Sequence, residues 1–449
     1  MKNSLIRRTW CALALALLAS CGGGSDGGVS SGAAGLGNAG LQAPAHGGSD
    51  NAGGDAGGSG GSSGGSSGSA SGDGTTTAGA GDSDSGVGSG GTGATSATAS
   101  AVGSVDGFGS IIVGGIRYNV DSAALRLADA SALQLGMTVQ VTGTVNPDFT
   151  SGVANDVQSA ADLRGPADID PGNASLRVLG TTVHLDSNTV MGNFASLSDL
   201  PSGTHVQVWG LPAGSGTLRA TRIEAQPATQ GPVVSGFIAQ LDPALGTFML
   251  GSVAVDYRSA SFSADLPAGA LANGVLVRVR AAAAPGSGPL VATGVIRWYA
   301  TPQSPGTSVQ IEGVVTNYQS IADFRLMGVK VDASAASLVG GPAAPMGDGV
   351  KVVVSGEIQS GTLVARKLRI RSVPGAGGPP AFELIGTVAH YDAATGRFRV
   401  RGQPVDASGA EVLFVNGSAA GLDGTAVQVT VLGSRVVDGV LLASQVTFR

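Results

Sequence analysis

Across residues 102–448 apolar and polar side chains alternate in short runs, as where Phe398 and Val400 are set between Arg397, Arg399 and Arg401. A period of two puts successive side chains on opposite faces, so these runs predict half-buried β-strands rather than amphipathic helices. In the first set, residues 102–106 predict one strand and residues 110–113 and 116–120 two more, the last closing on Asp121. A softer stretch rich in Ala, Ser and Leu, residues 122–135, has room for one short helix or a loop. It leads into a strand over 135–143 and a final one around 153–157.

The same order of runs returns four times. A glycine interrupts the opening strand at Gly103, Gly165, Gly236, Gly313 and Gly386. An aspartate closes the third strand at Asp121, Asp186, Asp256, Asp332 and Asp406, spaced 65, 70, 76 and 74 residues apart. In the later copies a glycine leads the fourth strand at Gly203, Gly274, Gly349 and Gly424. A period of this length exceeds a solenoid rung and suits one small domain per unit. Three strands, a linking segment and two strands match the order of an OB-like barrel, whose closure removes exposed edges. The predicted fold is therefore all-β, with five tandem small antiparallel β-barrels over 101–160, 161–229, 230–301, 306–373 and 380–449. A split β-sandwich is the other arrangement the pattern allows. Segments rich in Pro, Gly and Ser separate the later units at 227–232, 301–307 and 373–380, whereas the first junction, 159–165, is tighter.

Three motifs carry a resemblance. Gly103 with Val105, the glycine-to-aspartate segment ending in Val-x-Val-Asp, and the Leu133-x-x-Gly136-x-x-Val139-x-Val141 strand are similar to the repeat of the "domain of unknown function 5666" family. The likeness extends over residues 102–448 and is more divergent in the third and fourth units. Members of that family occur in bacterial secreted and lipid-anchored proteins, so the resemblance implies a fold and a location and no activity.

The N-terminus changes the picture of location. Lys2, Arg7 and Arg8 precede a short apolar run over 10–19, too short to span a bilayer but suited to a signal peptide over 1–20. The run ends in Leu18-Ala19-Ser20-Cys21, which resembles the bacterial lipobox, with cleavage between Ser20 and Cys21 and lipid attachment to the Cys21 thiol. The competing reading is an ordinary signal peptide beside an incidental cysteine. Gly22 rather than aspartate after the cysteine favours the outer membrane, by resemblance to lipoproteins of enterobacteria. Acyl chains on Cys21 would be the membrane anchor. Cys11 leaves with the signal peptide, so the processed chain has no free thiol for a disulfide or a cysteine metal site.

Glycine, 75 of 449 residues, is concentrated at the front of the chain. Residues 22–100 hold no Lys, Arg, Phe, Tyr or Trp and cannot bury enough apolar surface to offset the entropy of ordering. Residues 21–100 are therefore expected to be a disordered Gly/Ser/Ala-rich tether with a root-mean-square span of roughly 50 Å. Matches there to the nucleophile pattern (residues 28–32) and to the dinucleotide glycine pattern (residues 88–93) lack the strand and helix their chemistry requires.

Candidate chemistry is sparse. The strand-closing aspartates either bond the following turn or contribute to calcium sites, and no dense Asp/Asn loop supplies the remaining oxygens. His184 and His205 lie in different strands of one unit, without a third ligand for zinc. No serine occupies a nucleophile turn and nothing marks a pair of catalytic carboxylates, so a non-enzymatic protein without a cofactor is expected. Net charge is −6, yet residues 301–449 carry 12 Lys/Arg against 11 Asp/Glu. Arg366, Lys367, Arg369 and Arg371 form one basic stripe and Arg397, Arg399 and Arg401 another. Such stripes are either solvated sheet faces or a candidate surface for an anionic envelope polymer such as lipopolysaccharide or an acidic polysaccharide. Aromatics at 4% are too few for the stacking platforms of single-stranded nucleic acid, so no nucleic-acid partner is expected. The leading expectation is a lipid-anchored envelope protein presenting β-barrel binding or structural modules, with an envelope polysaccharide or protein as partner. The alternatives are an envelope enzyme, such as a glycan hydrolase with carboxylates between barrels, and an inward-facing periplasmic accessory factor.

Overall fold

The computed structural model describes residues 97–302, 304–341, 345–374 and 382–449. Cys21 and the expected signal peptide lie outside these residues, as does the tether up to residue 96. The described chain is all-β, with short 3-10 turns as its only helical elements. Among the described residues no helix is long and apolar enough to cross a membrane.

In the first repeat, β1 (Ala97–Phe108), β2 (Ile111–Val113) and β3 (Ile116–Asn119) form an antiparallel meander. It continues through β4 (Ala124–Leu127), β5 (Thr138–Val145) and β6 (Ser151–Ser159). β5 pairs antiparallel with β1 and β6, while β6 pairs parallel with β3, closing a ring in the order β1-β2-β3-β6-β5. β4 lies parallel to β6 beyond the end of β3.

Each later repeat closes a ring by the same pairings. The second is β7 (Leu163–Asp170), β8 (Ser175–Val178), β9 (Thr181–His184), β10 (Val190–Met191), β11 (His205–Pro212) and β12 (Thr217–Ala225). The third is β13 (Val233–Asp242), β14 (Thr247–Leu250), β15 (Val253–Asp256), β16 (Ser261–Phe262), β17 (Leu276–Ala281) and β18 (Leu290–Arg297). The fourth is β19 (Ser308–Ser320), β20 (Asp323–Leu326), β21 (Val329–Asp332), β22 (Ser337–Leu338), β23 (Lys351–Gln359) and β24 (Thr362–Ser372). The fifth is β25 (Phe382–Asp392), β26 (Arg397–Val400), β27 (Gln403–Asp406), β28 (Leu413–Val415), β29 (Gln428–Val437) and β30 (Val440–Phe448).

Three expectations need correction. The rings are not wholly antiparallel, because a ring of five strands cannot alternate direction all the way round, and the parallel pair falls between the third and last strands. The linking segment is neither a helix nor a plain loop. It adds a short strand parallel to the last one, followed in the second, third and fifth repeats by a 3-10 turn. The tether does not extend to residue 100, since β1 begins at Ala97, which pairs with Val145.

A backbone hydrogen bond locates equivalent residues in every ring: Val105, Ala167, Ile238, Val315 and Val388 each donate to the carbonyl of Met137, Thr204, Val275, Val350 and Val427. The residue before each acceptor has a positive φ, at Gly136, Gly203, Gly274 and Gly349 and at Ala426 in the fifth repeat. This left-handed step turns the chain into the fourth ring strand, and glycine adopts it without a Cβ penalty. Gly424, expected as the fifth leading glycine, has φ −70 and sits two residues too early.

The rings pack on one another. β1 pairs parallel with β19 through residues 99–102 and with β25 through Gly107 and Phe108, and β7 pairs antiparallel with β13. One apolar cluster joins the interiors of the first and fifth rings and another those of the second and third. A further cluster fills the fourth and reaches Val102, Trp298 and Tyr299.

Candidate functional site

Alternation places residues such as Asp106, Arg164, Arg278, Glu312 and Arg371 on the outer faces of their rings. Packing of ring on ring then buries those faces. Where the first three repeats meet, Asp129 receives Arg164, Arg278 and Arg280 at 2.9, 2.6 and 2.8 Å. Burial pushes the Asp129 carboxyl up, but Arg278 and Arg280, helped by Arg164, outweigh it and hold the group below its ordinary range. Asp162, 0% exposed, stands beside this cluster and is held mainly by neutral donors. Trp298 Nε1 donates to it at 2.7 Å, the Gly210 N–H at 2.9 Å, Thr138 Oγ1 at 3.1 Å and Ser235 Oγ at 3.2 Å. Burial dominates here and raises the carboxyl to about 6. Arg278 also lies 5.2 Å over the Trp298 ring, which packs at a 39° tilt against Tyr299.

A second ionic cluster joins the first and fourth repeats. Glu312 receives Lys351 Nζ at 3.0 Å and the Ser104 N–H at 2.7 Å, and Arg371 Nη2 meets Asp106 at 2.6 Å. Ser104 Oγ donates to Glu312 at 2.9 Å and lies 3.2 Å from Asp106. Burial works to raise Glu312, but Lys351, Arg371 and Ser104 together lower it to about 2. Burial raises Asp106 to about 6 against the pull of Arg371, and its Oδ2 is buried without a hydrogen bond. Gly103 leaves space for this cluster, since a Cβ there would lie 2.8 Å from Glu312 Oε2 and 3.1 Å from its Cβ.

These clusters decide the fate of the first basic stripe. Arg371 is buried in an ion pair, Lys367 donates to the Asp148 carbonyl of the first repeat, and Arg369 is half-buried beside Gly115. Arg366, at a bulge between β23 and β24, is exposed and pairs with Glu357. The stripe expected to face solvent is thus largely a docking face for the first repeat. The second stripe remains outside. Arg397 pairs with Asp406 at 3.0 Å, whereas Arg399 and Arg401 donate to the Gly402 and Ile385 carbonyls and meet no carboxylate among the described residues.

The strand-closing aspartates follow the turn reading in four repeats. Asp186, Asp256, Asp332 and Asp406 each accept the N–H two residues on, at 2.9 to 3.1 Å. At Asp121 the direction reverses, and its own N–H donates to Asn119 Oδ1. Among the described residues no three His, Cys, Asp or Glu side chains converge as a metal site. His184 is opposite Arg219 on β12, while His205 accepts from Gln226 beyond the far end of that strand, so the two do not meet.

A cavity of about 700 Å³ opens beside the second repeat, lined by its residues Leu185, Asp186 and Arg219 together with Val373 and Arg435. The latter two come from the fourth and fifth repeats. The β29–β30 turn is pinned there by the Asp438 and Gly439 N–H groups on the Phe194 and Met191 carbonyls. Of these cavity residues sequence reading had singled out only Asp186, as a strand-closing aspartate, and it missed Arg219 and Arg435 as it missed Asp106, Asp129, Asp162, Glu312 and Lys351. The one available signal was a charge inside an apolar run, such as Glu312 between Ile311 and Val314.

Residues 100–157 and 167–224 match DUF5666, a domain of unknown function. The two matched stretches lie in tandem and coincide with the first and second rings. No curated protein matches the chain.

Proposed function

We propose that the chain is a non-enzymatic, lipid-anchored cell-envelope protein whose repeats are OB-like barrels packed into a display scaffold for an anionic envelope polymer. The ring order, with a parallel step between the third and last strands, supports the OB-like assignment. The observation that carries the binding reading is the pair Arg399 and Arg401, two cations on the outer face of the fifth repeat without carboxylate partners among the described residues. Guanidiniums so placed attract polyanions in a salt-dependent way. Binding of the processed chain to lipopolysaccharide and to a sulfated polysaccharide free of uronates, at low and high salt, tests it. Salt-sensitive binding lost in an Arg399→Gln/Arg401→Gln variant is the expected result, and binding indifferent to both changes sinks the proposal. The anchor and its outer-membrane location have their own tests, since a clickable fatty acid should label the wild type in cells and not Cys21→Ser, and the labelled protein should sediment with the outer-membrane fraction.

One feature favours the alternative of a glycan hydrolase with carboxylates between barrels. Asp106 and Glu312 belong to different repeats, and their environments push their ionisation apart, as in acid–base pairs. Both are buried under Lys351, Arg371 and Ser104, with no room for a sugar ring at their oxygens. That arrangement favours an ionic joint between rings over a reaction centre.

A further inference from the structure

The cavity beside the second repeat contains a cation with too few partners. Arg219 has 14% of its side chain exposed, yet its Nε is buried without a hydrogen bond. Its nearest anion, Asp186 Oδ2, is 3.9 Å from Nη1, beyond hydrogen-bonding range. Asp186 is itself occupied, accepting the Asn188 N–H at 2.9 Å and Ser372 Oγ at 3.3 Å. A buried guanidinium N–H with no acceptor is costly unless an anion completes it. Arg435 adds a second cation to the same cavity, exposed and without a hydrogen bond or ion pair among the described residues.

We infer that this cavity binds a carboxylated sugar, a uronate unit or short uronate chain, with Arg219 and Arg435 receiving the carboxylate. A planar guanidinium matches a carboxylate in two parallel bonds. The volume suits a disaccharide. Leu185, Met191 and Leu197 offer apolar surface to the C–H face of a sugar, while Ser196 and Ser198 offer hydroxyl groups. Asp186 in the same lining disfavours a doubly charged phosphate but can accept from a sugar hydroxyl. The site is separate from Arg399 and Arg401 and does not depend on the polymer-binding reading.

Calorimetric titration of the full chain with digalacturonate tests this, with the methyl-esterified disaccharide and inorganic phosphate as comparison ligands. Digalacturonate is expected to bind saturably, and Arg435→Gln to weaken it by about tenfold, the worth of a bond to a charged group. Arg219→Gln should abolish binding, while Arg177→Gln, an exposed arginine elsewhere in the second repeat, leaves it unchanged. Because Arg435 is exposed and without an ion pair among the described residues, its variant stays informative if Arg219→Gln does not fold. Four results overturn the inference: no saturable heat, binding unaffected by Arg435→Gln, equal affinity for the methyl ester, or tighter binding of phosphate. An Arg399→Gln/Arg401→Gln variant should leave disaccharide affinity unchanged, which keeps this outcome distinct from the polymer test.

Discussion

The junction of the first three repeats and the junction of the first and fourth both bury ions, but they distribute the counter-charge differently. In the former, three guanidiniums crowd Asp129, while Asp162 is left chiefly with neutral donors. In the latter, Glu312 and Asp106 share Lys351, Arg371 and the hydroxyl of Ser104. Each junction thereby holds one carboxylate lowered and another raised to about 6. Burial is common to all four, so the placement of cations decides which group keeps its charge. The divided arrangement hangs three guanidiniums on Asp129, whereas in the shared one Arg371 reaches both carboxylates.

The largest effect should come from Asp129→Asn, which strands the buried Arg164 and Arg278. A loss of about 3–5 kcal/mol of unfolding free energy is expected in urea denaturation. A loss below about 1 kcal/mol would mean that the arginines are satisfied by Gln207, Gln230 and the Ala161 carbonyl alone.

Next comes the pH dependence of Asp162. Its folded value lies above its ordinary 3.8, so the folded state binds the extra proton between about 4 and 6. Stability from this group is full at low pH and declines as pH rises through 6, by roughly 3 kcal/mol. Thermal unfolding of wild type against Asp162→Asn across that window should show the decline only in wild type. Asp129, lowered in the folded state, contributes in the opposite sense, and its share is lost as pH falls below its ordinary value. Parallel slopes for wild type and Asp162→Asn would contradict the neutral-donor account.

Glu312→Gln should cost less than Asp129→Asn, about 2–3 kcal/mol, because Asp106 still offers Arg371 a partner. Equal costs for the two substitutions would erase the contrast between divided and shared counter-charge. The smallest effect lies outside the junctions. Ala426→Gly relieves the one non-glycine at the recurrent left-handed step and should stabilise the chain by about 1 kcal/mol in denaturant melts. Gly203→Ala should lose a similar amount.

Much of each ring was legible in the sequence. The strand alternation, the glycine at positions such as Gly103, and the aspartate turns at Asp186, Asp256, Asp332 and Asp406 are local features, fixed by side-chain period and backbone geometry. The register of the fifth repeat was misread, because Gly424 offered a glycine near the right place while the left-handed step is taken by Ala426. The two basic stripes looked alike in sequence, yet one is spent against the first repeat and the other stays outside.

By itself the sequence determined the all-β character, the count and order of the units, and which side chains lie on the outer face of each ring. Only the tertiary structure decided whether an outer face meets water or another ring. It set Asp106 against Arg371 across 265 positions of chain, and it gathered Arg219, Val373 and Arg435 around one cavity. Alternation is a property of neighbouring residues, whereas the burial of a polar face depends on which distant strand arrives to cover it.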